Sequence, residues 1–358
     1  MAKDKIIIFI DSFQEKNRLQ YNLIKDFGYQ SVWFQTHPKV KEGIDTVHVL
    51  KPGLMARCIQ VVSFFFKYKQ TIHHIELYPG GRFAFLYLLF AKLFRIQVLC
   101  CERGDIYYYI HKKYDRLTRI SQYIVYRFAD YLWLRELFAA DYLRQMKLNR
   151  PYFFIHNVVP VPDIEKLPLQ SERPIDFLWV NSLKSFRRVE WFGEALDSAE
   201  FKGTKNVLLG ITEGAVKNEY AQISQKHNLE VHGFVSPKAY YLKAKFFVMP
   251  ASIVYLNHAL LEAMSYGVIP IITEAQGASL IIKQGEDGFI TAYEKEAFID
   301  GMKKSRQMDE AMYNQISIRA RAKIVAEYSE TYYAKELRSM YDCISKKSSP
   351  KNAHETNL

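Results

Sequence analysis

The chain has 358 residues, of which 49% are hydrophobic and 24% are charged, and this balance is ordinary for a soluble globular protein. Its length suits two domains of ordinary size better than one. The 49 Lys and Arg residues against 38 Asp and Glu residues give a net charge of +11. Such a balance favours anionic partners, which include nucleotides, phospholipid headgroups and nucleic acid.

The cysteines and the apolar runs exclude two further classes of protein. Cys100 and Cys101 are adjacent in an apolar strand pattern and no Cys-x-x-Cys occurs, so we expect neither a disulfide framework nor a structural zinc site. The longest apolar runs, "FAFLYLLFAKLF" and "VVSFFF", are shorter than the roughly 20 residues of a membrane span. We therefore expect a cytoplasmic protein that does not cross a membrane, and we interpret "MAKDKIIIFIDSF" as a first strand rather than a signal peptide.

Short apolar runs alternate with helical patterns along nearly the whole chain. In the first half the predicted strands are Lys5–Ile10, Ser31–Gln35, Thr46–Leu50, His73–Leu77, Ile96–Cys101, Tyr131–Leu134 and Tyr152–Ile155. In the second half they are Ile175–Val180, Lys205–Ile211, Leu229–Val231, Lys245–Met249 and Val268–Thr273. Strands that alternate with helices predict βαβ units and parallel sheets. The expected fold class is therefore α/β, with two doubly wound domains.

The domain boundary is predicted in the segment 157–174, which contains four prolines and charges of both signs. We expect a first domain over residues 1–165 and a second over 166–325. A helix over 326–345 would then cross back to the first domain, and the polar tail 346–358 would be disordered. Ligands bind outside the carboxyl ends of the strands in such sheets, so two domains facing each other across a cleft would suit an enzyme with two substrates.

One acid stands out in the stretch "SIVYLNHALLEAMSYGVIPIIT", residues 252–273. Asn257 can cap a short apolar helix and Gly267 can end it. The helix start offers free N–H groups and a partial positive charge, which suit a diphosphate. Glu262 lies one turn further along, where its carboxylate could accept two hydrogen bonds from a vicinal diol such as that of a ribose. The alternative is a half-exposed helix acid without a ligand.

This region resembles a known family. The sequence "KFFVMPASIVYLNHALLEAMSYGVIPIITEAQGASLIIKQGEDGFI" is similar to the donor-binding region of retaining GT-B glycosyltransferases of the group 1, or GT4, kind. The resemblance implies two Rossmann-like domains, of which the second binds a nucleotide-sugar. It places Glu262 on the second glutamate of an E-x7-E pair that binds the donor ribose. Gly277 and Ala278 fall on a glycine pair whose amides approach the diphosphate and the sugar.

The stretch "IDFLWVNSLKSFRRVEWFGEAL" resembles another segment of the same family. It places Arg187 on the phosphate-binding lysine, with Lys184 beside it and Asn181 where a loop glycine is usual. These three residues are expected to bind the donor. His258, at the predicted helix start, is either a sugar contact or a capping residue.

The sequence also departs from the family pattern. The first glutamate of the pair would fall on Val254, so its role would pass to a neighbour such as Asn257, Tyr255 or His258, or the donor sugar would be held differently. In "CCERGDIYYY", Arg103 replaces the usual histidine of a loop that follows a strand. Arg103 and Asp105 are therefore candidates for the catalytic site together with Asn257. The alternative for Arg103 and Asp105 is that they belong to an ordinary turn without a catalytic role.

The resemblance implies a retaining glycosyl transfer from a nucleotide-sugar to an acceptor hydroxyl, in the assembly of surface polysaccharide, lipopolysaccharide or capsule. Because no Asp-x-Asp occurs, we expect no metal and no cofactor. The main alternative is a non-catalytic GT-B subunit that binds nucleotide or glycan. A sugar-nucleotide epimerase would need acids that the sequence does not place, and a nucleic-acid binder lacks a recognition motif.

Two basic and aromatic stretches of the first half have two interpretations. "YYYIHKKYDRLTRISQYIVYRF" and "ARCIQVVSFFFKYK" could contact an anionic membrane surface or an acceptor. They could equally be packed helices with a solvated Lys/Arg face. The first interpretation predicts peripheral association with the inner face of the cell membrane and a glycan or lipid-linked glycan acceptor.

Overall fold

The computed structural model describes residues 5–10, 17–35, 46–183, 185–210, 225, 228–254 and 257–348. The chain divides into two compact units, of which the first comprises Met1–His156 and Tyr333–Leu358 and the second Asn157–Tyr332. One division between the units lies between His156 and Asn157, at the start of the proline-rich segment 157–174.

The described part of the first unit contains one sheet of seven parallel strands. They are β1 (Lys5–Ile10), β2 (Tyr29–Gln35), β3 (Val47–Val49), β4 (Ile72–Leu77), β5 (Val98–Glu102), β6 (Tyr131–Leu134) and β7 (Tyr152–Phe154). Their order is β3-β2-β1-β4-β5-β6-β7, so the chain winds outward in one direction from β1 and in the other from β4. The boundary between β1 and β4 is the topological switch point of this sheet.

Helices connect these strands, as parallel pairing requires. They span Arg18–Asp26, Leu54–Tyr68, Ala84–Leu93, Asp105–Ile110, Arg116–Phe128 and Phe138–Gln145. The last helix of the chain, Glu330–Ser345, packs on this unit as well. On it, Tyr341 is buried and its hydroxyl donates a 2.6 Å hydrogen bond to the carboxylate of Glu76 in β4.

The described part of the second unit contains a six-stranded parallel sheet in the order β10-β9-β8-β11-β12-β13. The strands are β8 (Ile175–Val180), β9 (Asn206–Leu209), β10 (Leu229–His232), β11 (Ala244–Met249), β12 (Ile269–Thr273) and β13 (Phe289–Thr291). The helices span Val189–Asp197, Lys238–Tyr241, His258–Ser265, Ala278–Ile281, Lys295–Arg306 and Glu310–Glu327. The switch point here lies between β8 and β11.

Each face of this second sheet has its own apolar core, because successive strand residues point to opposite faces. Phe247 and Met249 of β11 pack with helices 258–265 and 310–327. Phe246 and Val248 pack with helices 189–197 and 295–306 on the other face. The unit is therefore a three-layer α/β/α structure, and the predicted fold class of two Rossmann-like α/β domains is confirmed.

Two details differ from the prediction. The three-residue strand β13 has no counterpart among the predicted strands, since "FIT" is too short to show a period. The last helix begins at Glu330 rather than at residue 326, because a separate helix, Glu310–Glu327, ends just before it. In the part of the chain that the structure describes, no helix combines the length and the hydrophobicity that crossing a membrane takes.

Candidate functional site

Two amides meet at the switch point of the second sheet. Asn181 directly follows β8, and Asn257 precedes the helix that follows β11. The Oδ1 atom of Asn257 accepts a hydrogen bond of 3.3 Å from the backbone N–H of Leu260, so Asn257 is the helix cap that the sequence predicts. Its Nδ2 atom donates a hydrogen bond of 3.1 Å to Oδ1 of Asn181. Two predicted residues that are 76 positions apart in sequence therefore lie in direct contact.

The side-chain amide of Asn181 has a hydrogen-bond donor that is not satisfied within the described residues. Its Nδ2 atom is buried and has no hydrogen-bond partner among the described residues. A buried amide donor without a partner is costly unless a ligand or water satisfies it. The backbone beside it leaves little room, since a Cβ atom on Gly210 after β9 would lie 2.1 Å from the carbonyl oxygen of Asn181. Only glycine fits there without a shift of the strand ends.

Glu262 lies on the second turn of the same helix, half-buried. Its Oε2 atom accepts a hydrogen bond of 3.3 Å from the hydroxyl of Tyr241. Burial raises the pKa of Glu262, whereas the Tyr241 hydrogen bond and the positive charge of Lys238 act in the opposite direction. The buried guanidinium of Arg173 donates a hydrogen bond of 3.0 Å to the carbonyl of Tyr241 and so fixes the segment that carries this hydroxyl.

Arg187 provides positive charge on the loop after β8. Its Nη1 atom donates hydrogen bonds of 2.7 Å to both the carbonyl and the hydroxyl oxygen of Ser182. Burial lowers its pKa to about 10, so the guanidinium stays charged at neutral pH. The loop is tied to the segment after β11 by a 3.0 Å hydrogen bond from the N–H of Ser252 to the carbonyl of Phe186.

The other basic residues of this loop contribute differently. Lys184 lies outside the described residues. Arg188 has a left-handed backbone with φ of 42°. Its Nε atom donates a hydrogen bond of 2.8 Å to the hydroxyl of Tyr293. The Arg188 guanidinium therefore contacts Tyr293, whereas the Arg187 guanidinium contacts Ser182.

The remaining predicted donor residues occupy the segments around β11 and β12. His258 is exposed at the first position of its helix. Gly277 has φ of 93° and precedes the short helix 278–281. Ala278 is buried, and its N–H already donates a 3.0 Å hydrogen bond to the carbonyl of Ala275. Val254, on the position of the first family glutamate, is buried in the apolar core.

The first unit carries a polar cavity of its own, with a volume of about 600 Å³. It lies at the carboxyl ends of β1 and β4, the switch point of that sheet, and Arg103 and Asp105 both line it. The guanidinium of Arg103 stacks 3.8 Å from the ring centroid of Tyr78 and donates a hydrogen bond to the Tyr78 hydroxyl. Asp105 accepts a hydrogen bond of 2.8 Å from the hydroxyl of Tyr114.

A buried carboxylate shapes this loop. The Oε1 atom of Glu102 accepts hydrogen bonds from the N–H groups of Gly104, at 2.6 Å, and Ile106, at 3.1 Å, and Oε2 accepts one from the Tyr126 hydroxyl. Burial, assisted by the negative charge of Asp105, raises the pKa of Glu102 to about 8. Glu102 therefore holds the loop that presents Asp105, and its own carboxyl is buried away from the cavity.

Several residues that line the cavity of the first unit were not predicted from the sequence. Tyr78, Tyr114 and Gly80 were not singled out, although "YPGGR" after a predicted strand is a turn signal at the ligand edge. Gly80 matters because a Cβ atom there would lie 2.8 Å from Oδ1 of Asp105. Tyr241 was also missed, since no local pattern connects it with Glu262. Among the described residues, no three His, Cys, Asp or Glu side chains lie together in a way that could hold a metal ion.

Comparison with known proteins agrees with this geometry. Residues 174–306 match the model of the family Glycosyl transferases group 1. That range contains β8 to β13 and all the predicted donor residues of the second unit. A search among curated protein sequences found no match.

Solved structures with the same fold cover almost the whole chain. Sucrose-phosphate synthase from Thermosynechococcus elongatus has a TM-score of 0.72 at 15% identity, over 96% of this chain and 100% of that one. HepE from Anabaena, in complex with UDP and glucose, has a TM-score of 0.72 at 13% identity, over 94% and 99%. The lipopolysaccharide outer core galactosyltransferase WaaB has a TM-score of 0.70 at 14% identity, over 93% and 98%.

These findings confirm the predicted resemblance. The chain has the GT-B fold of these structures, and residues 174–306 of its second unit match the group 1 glycosyltransferase family.

Proposed function

We propose that the chain transfers a sugar from a nucleotide-sugar, bound at the carboxyl edge of the second sheet, to an acceptor hydroxyl. The observation that carries the proposal is the position of Glu262. Its carboxylate lies on the second turn of the helix that Asn257 caps, at the sheet's switch point and inside the family match. A ribose placed there can donate two hydrogen bonds to the carboxylate, while its diphosphate faces the N-terminus of the helix.

The leaving diphosphate needs charge stabilisation, and the site can supply it. The N-terminus of helix 258–265 provides free N–H groups, and Arg187 provides a guanidinium that stays charged. Preorganised donors of this kind lower the barrier of a step that develops negative charge. We therefore propose a transfer that needs no metal ion and no cofactor. By the family resemblance, we propose that it retains the configuration of the sugar.

The acceptor is proposed to bind in the cavity of the first unit. Arg103, Asp105 and the hydroxyls of Tyr78 and Tyr114 give it both donors and acceptors for a glycan. Similarity to WaaB, which is a lipopolysaccharide outer core galactosyltransferase, supports an acceptor from surface polysaccharide or lipopolysaccharide assembly. HepE has been solved with UDP-glucose, which makes UDP-sugars the first donors to test.

Release of nucleoside diphosphate from a panel of nucleotide-sugars, with and without a bacterial lipid and glycan extract, tests the proposal. We expect one donor to be turned over, with a rate that EDTA leaves unchanged. Glu262→Ala should lower the rate at least tenfold, because the ribose loses its acceptor. Glu296→Ala, on the exposed side of helix 295–306 in the same unit, is the matched control and should keep the wild-type rate. Turnover that survives in Glu262→Ala, or that EDTA abolishes, would contradict the corresponding part of the proposal.

A further inference from the structure

Three helices of the first unit share an unusual charge pattern. Helix 54–68 packs beside helix 84–93, and helix 84–93 packs beside helix 116–128. Their sequences, "LMARCIQVVSFFFKY", "AFLYLLFAKL" and "RLTRISQYIVYRF", contain no Asp or Glu in 38 residues and six Lys or Arg. By contrast, helices 189–197 and 295–306 of the second unit each carry at least two acids. We call the exposed side of the three helices the three-helix face.

The three-helix face exposes large apolar side chains in rows. On helix 54–68, Met55, Ile59 and Phe66 are 78%, 62% and 68% exposed, and their spacing places them on one side of the helix. On helix 84–93, Leu89 and Leu93 are one turn apart and are also exposed. Helix 116–128 adds Leu117, Ile120, Tyr123 and Phe128. Scattered exposed apolar residues are normal, but rows on adjacent helices form a patch that calls for a partner.

Little negative charge offsets the basic residues of this face. Lys92 forms an ion pair of 2.5 Å with Asp130, which follows helix 116–128. Asp115, which caps that helix, lies 3.6 Å from Arg82. Among the described residues, no carboxylate forms an ion pair with Lys67, Arg116 or Arg127. The face is therefore both apolar and positively charged, which is the composition that binds at the interface of an anionic bilayer.

The first-unit cavity lies at one end of the same helices. Leu54 and Arg57 of helix 54–68 line it, as do Ala84 and Tyr87 of helix 84–93. A molecule held in a bilayer against the three-helix face would thus have its headgroup near residues that also line the cavity.

We propose that the three-helix face binds an anionic phospholipid surface, and that the acceptor reaches the cavity from that surface as a lipid-linked glycan. The second clause rests on the proposed function, whereas the first does not. Charge complementarity singles out this partner, because an acidic lipid surface matches three helices that carry six basic residues and no acid, whereas a second copy of the same face would repel it.

Flotation with phosphatidylglycerol-containing vesicles, compared with pure phosphatidylcholine vesicles, tests the membrane clause directly. The full chain should float with the anionic vesicles, and raising the salt from 50 to 300 mM should weaken its partition at least tenfold, because each basic residue near the surface contributes roughly a fivefold factor. Met55→Ser/Ile59→Ser/Phe66→Ser and Lys67→Glu/Arg127→Glu should each lower the partition about tenfold or more. Ile318→Ser/Arg319→Glu, an exposed apolar and basic pair on helix 310–327 of the second unit, is the matched control and should float like wild type.

Three outcomes would overturn the inference: equal flotation with neutral vesicles, an equal loss in the control, or a dimer of the wild type that Met55→Ser/Ile59→Ser/Phe66→Ser abolishes. The thermal shift that a nucleoside diphosphate gives should stay unchanged in every face variant. That shift reports on the proposed donor site independently, so failure of one proposal can be told from failure of the other.

Discussion

The two units place polar groups at the same point of the same kind of sheet, but they hold them in different ways. Asn181 contacts Asn257 at the switch point of the second sheet, and Tyr241 contacts Glu262 on the helix that follows, so candidate donor-site side chains contact other side chains directly. In the first unit, the buried Glu102 binds the backbone of the loop that presents Asp105.

This difference explains why one site has a sequence signature and the other does not. A site built from contacts between a helix cap, a helix acid and a loop needs those residues at fixed spacing, and such spacing is visible as a motif. A loop that is held by a buried carboxylate places few demands on its exposed residues, because the hydrogen bonds of Glu102 to described residues come from two backbone N–H groups and one tyrosine hydroxyl. The match to the family model accordingly lies in the second unit, over residues 174–306.

The largest effect is expected from Gly210→Ala. Its Cβ atom would lie 2.1 Å from the carbonyl oxygen of Asn181, so the ends of β8 and β9 must move apart. Overpacking of this kind costs roughly 1–3 kcal/mol, and we expect both a lower melting temperature and weaker nucleoside diphosphate binding. Gly233→Ala is the matched control, since its Cβ atom meets nothing within 4 Å. Equal melting temperatures for the two variants would show that the amide pair tolerates movement.

An intermediate effect is expected at Asn257, where two roles can be separated. Asn257→Ala removes both the helix cap and the amide bonded to Asn181, so it should lose about 1 kcal/mol of stability as well as donor affinity. Asn257→Ser keeps a good capping hydroxyl but no amide, and it should keep most of the stability while nucleoside diphosphate binding weakens several-fold. Calorimetric titration together with thermal melting measures the two roles. If the serine variant binds like wild type, Asn257 is a cap and nothing more.

The smallest effect is expected from Glu102→Gln and is visible only as a pH dependence. In the folded chain the pKa of Glu102 is raised from 4.5 to about 8, so the folded state binds the proton more tightly than the unfolded state does. The stability that this contributes is fully present below the unfolded pKa and is lost as the pH rises through about 8. Glutamine mimics the protonated acid, so its variant should lack this decline.

Melting curves of both proteins between pH 6 and pH 9 check this prediction. The wild-type melting temperature should fall by a few degrees more than that of Glu102→Gln, since about 1 kcal/mol corresponds to roughly 2–4 °C in a unit of this size. Parallel curves would mean that Glu102 is ionised throughout and that the loop of the first unit tolerates its charge.

Much of the fold was predictable, because alternation of strands and helices is encoded locally. The cap at Asn257 and the helix end at Gly267 follow from short-range rules, and both are present in the structure. The strand β13 was not predictable, since three residues carry no period.

The site was predictable only where spacing is short or a family motif exists. Glu262 and Asn257 lie five residues apart on one helix, and a sequence pattern can register that. Glu262 and Tyr241 are 21 residues apart on different helices, and Asp105 and Tyr114 are 9 residues apart. These contacts depend on tertiary packing, which the strand pattern alone does not determine.

The most direct test of the account is a thermal-shift panel of UDP, GDP, ADP, CMP and TDP on the wild type and on Glu262→Ala, with Glu296→Ala as the control. A ligand at a hundred times its dissociation constant stabilises by about 2.7 kcal/mol, or roughly 5–10 °C in a unit of this size. The account predicts that one nucleoside diphosphate shifts the wild type and the control but not Glu262→Ala. No shift with any nucleotide, or an equal shift in Glu262→Ala, would contradict the assignment of the donor site to Glu262.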